Sequence, residues 1–340
     1  MLVPDLKNNR SRDIFSRPRC IIEAEKSSKP RNALLEILIF VLVIYVGSFI
    51  TTAILIAPMM INSFDAIKTY VLEPNDTTMK AIENMLLVTM RTPWFQILSL
   101  FSTAVTTVSA IFYCTKIEKR RLFTMGFLRQ GAVFDSLVGI LAGAVTFAAA
   151  VAICLLSGSV RITWSPAAVS PLLIVLYFIG YLIQGMSEEV LCRGYFMVSL
   201  SKKYSLSAAI FLSSVLFGLL HLSNTGINAV ALLNLILYGI FSAVYFIKRG
   251  SIWGVAAFHG IWNFVQGVVF GIQVSGTEKN ASLLTTELTE AGKALNGGAF
   301  GLEGGYAVTV VLLVAIIIIG FMNPAKRERE APSEDSVSQQ

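Results

Sequence analysis

Apolar runs long enough to cross a bilayer constrain this chain more than any other feature. A helical span needs about 20 mainly apolar residues. Eight segments reach or approach that length: 34–58, 94–115, 132–156, 170–190, 205–222, 228–247, 252–273 and 304–322. Hydrocarbon offers no water to backbone N–H and C=O groups, so such runs must satisfy themselves as helices. The 340 residues are 55% hydrophobic and only 14% charged, with a mean hydropathy of +0.69. Soluble domains carry about a quarter charged residues. The expected fold class is therefore all-α, a polytopic membrane helix bundle of about eight transmembrane helices, with the lipid bilayer as its first partner.

The expected layout is a basic arm over 1–33, an integral membrane domain over 34–323, and a polar, disordered tail over 324–340. The first apolar run begins near Leu34 and is too long for a signal-peptide core, so it is expected to remain as an anchor. The fourth can continue as helix to Leu200, about 46 Å at ~1.5 Å per residue. That exceeds a bilayer core and implies a tilt, a kink or an interfacial end. The segments 59–93 and 274–303 read as connections holding a short amphipathic helix or a lid.

Charge orients the spans. The net charge is +6, and 21 of the 27 Lys and Arg residues fall on the N-terminal side of an eight-span arrangement. By the positive-inside rule both termini are expected in the cytoplasm of a plasma-membrane protein. The same distribution argues against a nucleic-acid partner, because the basic residues flank apolar runs rather than forming a patch. Cys20, Cys114, Cys154 and Cys192 have no ligand-like spacing and read as small packing residues. Gly139 and Gly143, in "GILAG", have the spacing that lets membrane helices approach closely.

Ionisable residues inside spans mark function by default. In "GMSEEVLCRGYF", residues 185–196, Glu189 and Arg193 stand at i and i+4 in the acid-first order that favours a bridge. Glu188 points about 100° away around the helix. It has no partner in its own helix and is left as the reactive carboxylate, suited to general-base work. Phe217 and His221 share a helix face, as do His259 and Asn263. Counted from the flanking basic residues, Glu188, His221, His259 and Asn263 reach intermediate depth, so one polar cavity can hold all four. The plainer readings are an ion-pair network and interhelical hydrogen bonds. Gln184, Asn234 and Gln266 read as helix-packing hydrogen bonds, and Phe217 as packing.

Taken in order, "EEVLCR", "FGLLH" and "HGIWN" match EExxxR, FxxxH and HxxxN on successive helices. The chain resembles the CPBP family, bacterial Abi-type relatives of the type II CAAX prenyl endopeptidase, over a four-helix catalytic core at about 170–273. The resemblance implies an intramembrane endopeptidase acting on membrane-associated proteins or peptides, prenylated CAAX-type ones among them, with bacteriocin immunity a role found in such relatives. It assigns water activation to Glu188 with His221 assisting, oxyanion binding to His259 and Asn263, and a structural ion pair to Glu189 and Arg193. It also brings a metallopeptidase reading, in which Glu188, His221 and His259 hold one Zn²⁺ as a His₂Glu set. The glutamate-base and zinc mechanisms both stay open at this point. So do two non-proteolytic readings: a catalytically silent scaffold or immunity binding protein, and a proton-coupled transporter.

Overall fold

The computed structural model describes residues 16–27, 29–164 and 169–325. The expected disordered tail lies, apart from Pro324 and Ala325, outside the described residues, as does the arm before Ser16. Among the described residues every apolar run is a helix. After a short amphipathic helix α1 (Arg19–Ser27) come α2 (Ala33–Asn62), α3 (Phe64–Leu72) and α4 (Asp76–Arg91). The bundle continues with α5 (Pro93–Ile117), α6 (Ala132–Leu156), α7 (Pro171–Ser201), α8 (Leu206–Leu219), α9 (Ala229–Arg249), α10 (Ile252–Val269) and α11 (Tyr306–Phe321). Six are long and apolar enough to span a bilayer, whereas α8 and α11 are shorter. The protein is a multi-pass helical membrane bundle.

Local chemistry sets the boundaries. Asn32, Ser170, Ser205 and Asn228 each accept a hydrogen bond from a first-turn backbone N–H of the helix that follows, which satisfies donors that have no helical partner. Pro171 occupies the first position of α7, where its missing N–H costs nothing. Gly250 takes a left-handed φ of 62° just past α9, as a C-terminal glycine does. α2 faces outward with Leu34, Leu38, Leu42 and Phe49 exposed, as lipid contact requires. α10 is the opposite case, with Gly254 through Phe264 all buried, and forms the axis of the bundle.

Three features differ from the sequence expectation. The span expected over 205–222 stops at Leu219, and His221 lies in the turn beyond it. α7 carries a π-helical stretch over Val190–Met197, the wider turn often found near functional sites. A small antiparallel sheet, β1 (Val160–Trp164) with β2 (Leu284–Leu288), ties two distant connections together. The 59–93 connection is helical, as α3 and α4, while 274–303 combines β2 with short helical turns. All four cysteines are buried and free.

The described N- and C-terminal residues lie at the same end of the bundle. There Arg17 donates to the carbonyls of Ser201 and Tyr204, Ala325 N–H donates to Lys248 O, and Trp253 donates to Leu128 O. A buried charge cluster stitches this end. Glu118 takes Arg31, Arg120 (3.2 Å) and Lys202 (3.7 Å), and Arg120 also donates to Ser199 Oγ and to the carbonyl of Gly194 on α7.

Burial pushes the Glu118 carboxyl up, but Arg120 and Lys202, with Arg31, outweigh it and hold the group below the ordinary carboxylate range. A carboxyl whose folded pKa lies below its unfolded value of about 4.3 contributes stability that is complete above that value. The contribution is lost as pH falls through the folded pKa. The thermal-unfolding midpoint in detergent should therefore drop in the acid range below about pH 4. Glu118→Gln should lower stability at neutral pH, by roughly 3–5 kcal/mol for a broken buried pair, and flatten that acid limb. An acid limb as steep in the variant as in the wild type rejects the role given to Glu118.

Candidate functional site

Backbone proximity comes first. A Cβ on Gly185 of α7 would stand 2.5 Å from Gly260 N and 2.8 Å from Ala256 O of α10, and one on Gly260 would stand 2.6 Å from Tyr181 O. These are backbone atoms that cannot swing aside, so the two helices touch only because both residues are glycine. Gly139 and Gly143 seat α6 on the other side of α10 in the same way, with would-be Cβ distances of 2.1 Å to Gly254 O and 2.6 Å to Phe258 O. The "GILAG" pair thus packs the bundle. The α7–α10 contact sits three residues before Glu188 and one after His259, which brings both carboxylates of α7 to one imidazole.

The adjacent glutamates address that ring from its two nitrogens. Glu189 Oε1 lies 2.9 Å from His259 Nδ1 and also accepts from Arg193 Nη1 at 3.1 Å. A carboxylate only accepts, so Nδ1 carries the proton and Nε2 points away from Glu189. On that side Glu188 Oε2 stands 3.7 Å from Nε2, too far for a direct hydrogen bond and close enough for a bridging water. Glu188 Oε1 is held by Gln184 Nε2, whereas Oε2 has no hydrogen-bond partner in the protein. Gln184 uses its other end to accept from Asn263 Nδ2 at 2.8 Å, so a single amide links the α7 carboxylate to the α10 asparagine.

Arg193 is fully buried. Besides Glu189 it donates to Gly239 O at 3.2 Å, and its guanidinium lies 4.7 Å from the Phe217 ring centroid, a cation–π distance. The same ring lies against His221 (centroids 4.9 Å), Tyr238 (5.8 Å) and His259 (6.0 Å). His221 Nδ1 stands 2.9 Å from Phe217 O. A carbonyl only accepts, so this nitrogen is the protonated one and the neutral ring presents Nε2 as an acceptor.

Glu188, His221, His259 and Asn263 line one cavity of about 120 Å³, so the four residues expected to meet do meet. Glu189 and Arg193 form the expected bridge, but Glu189 also orients His259. Arg193 itself belongs to this buried site. Asn234 is a packing residue as expected, bonded to Glu303 O, Gly305 O and Thr309.

Gln184 is not merely a packing residue, since it holds Glu188. Glu303 escaped the sequence reading altogether. Its carboxylate lines the cavity and accepts from Trp262, Gln266, Ser275 N–H and Ser275 Oγ. Its one sequence signal was an acid directly before an apolar run. Among the described residues no group of three His, Cys, Asp or Glu side chains is arranged to hold a metal ion. Glu188, His221 and His259, as placed, do not make the three-ligand set that zinc requires.

Compared with known proteins, residues 170–265 match the family model described as type II CAAX prenyl endopeptidase Rce1-like. No curated protein and no solved structure shows significant similarity to the chain. The matched stretch runs from the start of α7 into α10 and contains all the motif residues named above.

The glycine contact makes a stability test. Gly260→Val forces a side chain into the α7 backbone and should destabilise by about 1–3 kcal/mol, as overpacking does, seen as a lower unfolding midpoint in detergent. Gly320→Val, where a Cβ meets nothing within 4 Å, should leave the midpoint in place. Equal midpoints for the two variants would contradict the close approach.

Proposed function

With an Rce1-like core over residues 170–265, we propose that this protein is an intramembrane endopeptidase that hydrolyses peptide bonds of membrane-associated proteins or peptides. The observation that carries this reading is the pairing of Glu188 Oε2, unpartnered in the protein, with His259 Nε2 at 3.7 Å across the cavity. A water held in the cavity beside these two atoms loses a proton to Glu188 as its oxygen attacks the scissile carbonyl carbon. The His221 Nε2 lone pair accepts a hydrogen bond from the O–H that the water keeps and so aims the attack.

The carbonyl oxygen, now an anion, takes hydrogen bonds from the second N–H of the Asn263 amide and from His259 Nε2–H when that ring is protonated. Glu188 then returns its proton to the departing amine nitrogen as the C–N bond breaks. Glu189 and Arg193 act through His259: the carboxylate fixes the ring and the guanidinium fixes the carboxylate. Prenylated CAAX-type chains are the substrate class the family description supports. The transporter and silent-scaffold readings gain no particular observation, whereas a carboxylate, an imidazole and an amide lining one cavity support hydrolysis.

The bundle is further read as a plasma-membrane protein with both termini cytoplasmic. This reading is supported by the gathering of the basic connections at one end. Single cysteines replacing Arg121 should label from the cytoplasmic side, and those replacing Lys80 or Thr285 from the other. The reverse pattern overturns the orientation.

The decisive experiment incubates the purified protein in detergent with a peptide library, as wild type and as Glu188→Gln, with and without a chelator. Wild type should cleave and Glu188→Gln should lose at least about 100-fold, the scale of general-base catalysis. Cleavage should survive the chelator. Chelator-sensitive activity restored by zinc would replace the glutamate-base mechanism with a metal one. No cleavage by the wild type would remove the endopeptidase reading.

A further inference from the structure

The turn that carries His221 has little of its own to hold it. α8 ends at Leu219, and the chain then runs without helix to Asn228. His221 N–H donates to Gly218 O at 3.1 Å and the ring bonds to Phe217 O, both within the same segment. Two other segments meet this turn: the strap that follows α10, residues 270–283, and the turn before α11 that bears Glu303.

Hydrogen bonds run unbroken from Glu303 to His221. Glu303 Oε2 accepts from Ser275 N–H and from Ser275 Oγ–H, each at 2.7 Å. Ser275 O accepts from Asn224 Nδ2 at 2.8 Å, and Asn224 N–H donates to His221 O at 3.0 Å. Backbones touch along the same line. A Cβ on Gly276 would stand 2.1 Å from Thr225 O, and Gly276 N–H donates to Phe300 O at 3.0 Å. Ser275 itself holds a φ of 46°, a region that residues with a side chain seldom occupy. Such backbone persists only where its surroundings over-determine it, and Glu303 does so by taking both donors of Ser275 on one oxygen.

The carboxylate is in turn fixed to the core helices. Trp262 Nε1 donates to Oε1 at 3.2 Å and Gln266 Nε2 to Oε2 at 3.3 Å, both from α10, while Asn234 Nδ2 of α9 holds Glu303 O at 2.8 Å. Four donors converge on a group that only accepts. The strap is pinned separately at its far end, where Asn280 and Lys279 bond to Gln96 of α5. There Val274 and Thr277 also wall a second cavity of about 380 Å³, which shares Gln184 and Glu188 with the first.

We propose that Glu303 is a positioning residue for hydrolysis: through Ser275 and Asn224 it holds the His221 turn so that Nε2 faces the water that Glu188 deprotonates. The proposal rests on the hydrolytic roles given to Glu188 and His221. Glu303 and Ser275 both lie outside the matched stretch 170–265.

The kinetic test uses the full-length protein in detergent and a peptide that the wild type cleaves. Glu303→Ala should lower kcat by about 10–100-fold, the scale of a small misplacement, with KM held within about threefold. Glu303→Gln, which can turn its oxygen towards Ser275, should recover most of the loss. In a His221→Ala background Glu303→Ala should cost no more than about twofold further, because the two act as one unit. An equal loss in both backgrounds overturns the positioning role and leaves the endopeptidase reading intact. Asn224→Ala cuts the chain one link later, at a half-buried residue, and leaves Glu303 with all its donors. It should lower kcat as Glu303→Ala does, and an unchanged kcat overturns the proposal even where Glu303→Ala fails to fold.

A second measurement needs no turnover. The chain has two histidines, so histidine-labelled protein gives two imidazole signals in NMR, and His221→Ala assigns them. Glu303→Ala and Asn224→Ala should shift or broaden the His221 signal and leave that of His259 in place. This result without cleavage by the wild type would keep the link from Glu303 to His221 and refute the endopeptidase reading. An unmoved His221 signal, or equal displacement of both, overturns the link.

Discussion

The near-contact of two helix backbones at Gly185 and Gly260 is the constraint on which the site depends. Glutamate side chains are short, and His259 can be reached from both Glu188 and Glu189 only if α7 and α10 lie closer than ordinary side chains allow. A methyl group on either glycine would meet backbone rather than a movable side chain. Membrane helices have no hydrophobic drive towards one another, because lipid is as apolar as leucine. Close van der Waals packing at small residues must supply the association, and the same packing supplies the chemistry with its geometry.

A buried carboxylate and guanidinium are costly, and the site meets that cost by sharing. Arg193 finds a carboxylate, a carbonyl and an aromatic face, and Glu189 finds a cation and an imidazole N–H on one oxygen. Removing any partner would leave an uncompensated charge, which is far more damaging than never having buried the pair. Glu188 is treated differently. Its side chain keeps 28% exposure, one oxygen is held by an amide and the other stands 3.7 Å from His259 Nε2. The general base of the proposed mechanism must be positioned without being neutralised, and the neutral Gln184 amide achieves that where a second arginine would not.

Much of this was legible in the sequence, because membrane helices impose length and the i, i+4 rule imposes facing. The eight apolar runs, the Glu189–Arg193 bridge and the separate standing of Glu188 follow from spacing alone. What was not legible depends on contacts between distant segments. Gln184 looks like any intramembrane amide until α10 brings Asn263 beside it. Glu303 looks like a loop acid until Ser275, Trp262 and Gln266 converge on it. The early end of α8 also has no periodic signal, since the run of apolar residues continues through Leu220 into the turn. The pairing of β1 with β2 joins five-residue stretches more than a hundred positions apart, too short to announce themselves as strands.

The two cavities are built by different parts of the chain. The carboxylates that reach His259 come from α7, and the aromatic rings against it, Phe217 and Tyr238, from α8 and α9. The second cavity, by contrast, is walled by α4, α5 and the strap after α10, which are tied together by Arg91–Glu278 and by the Gln96–Asn280 hydrogen bond. No hydrogen bond in that outer set involves Glu189, His259 or Arg193, so side chains there can change size without moving the imidazole or its carboxylates. The two sets meet through Gln184 and Glu188 and through the strap residues Val274 and Thr277. A change of side chain in the outer set can therefore alter the second cavity without disturbing the bonds that hold His259, Glu189 and Arg193 together.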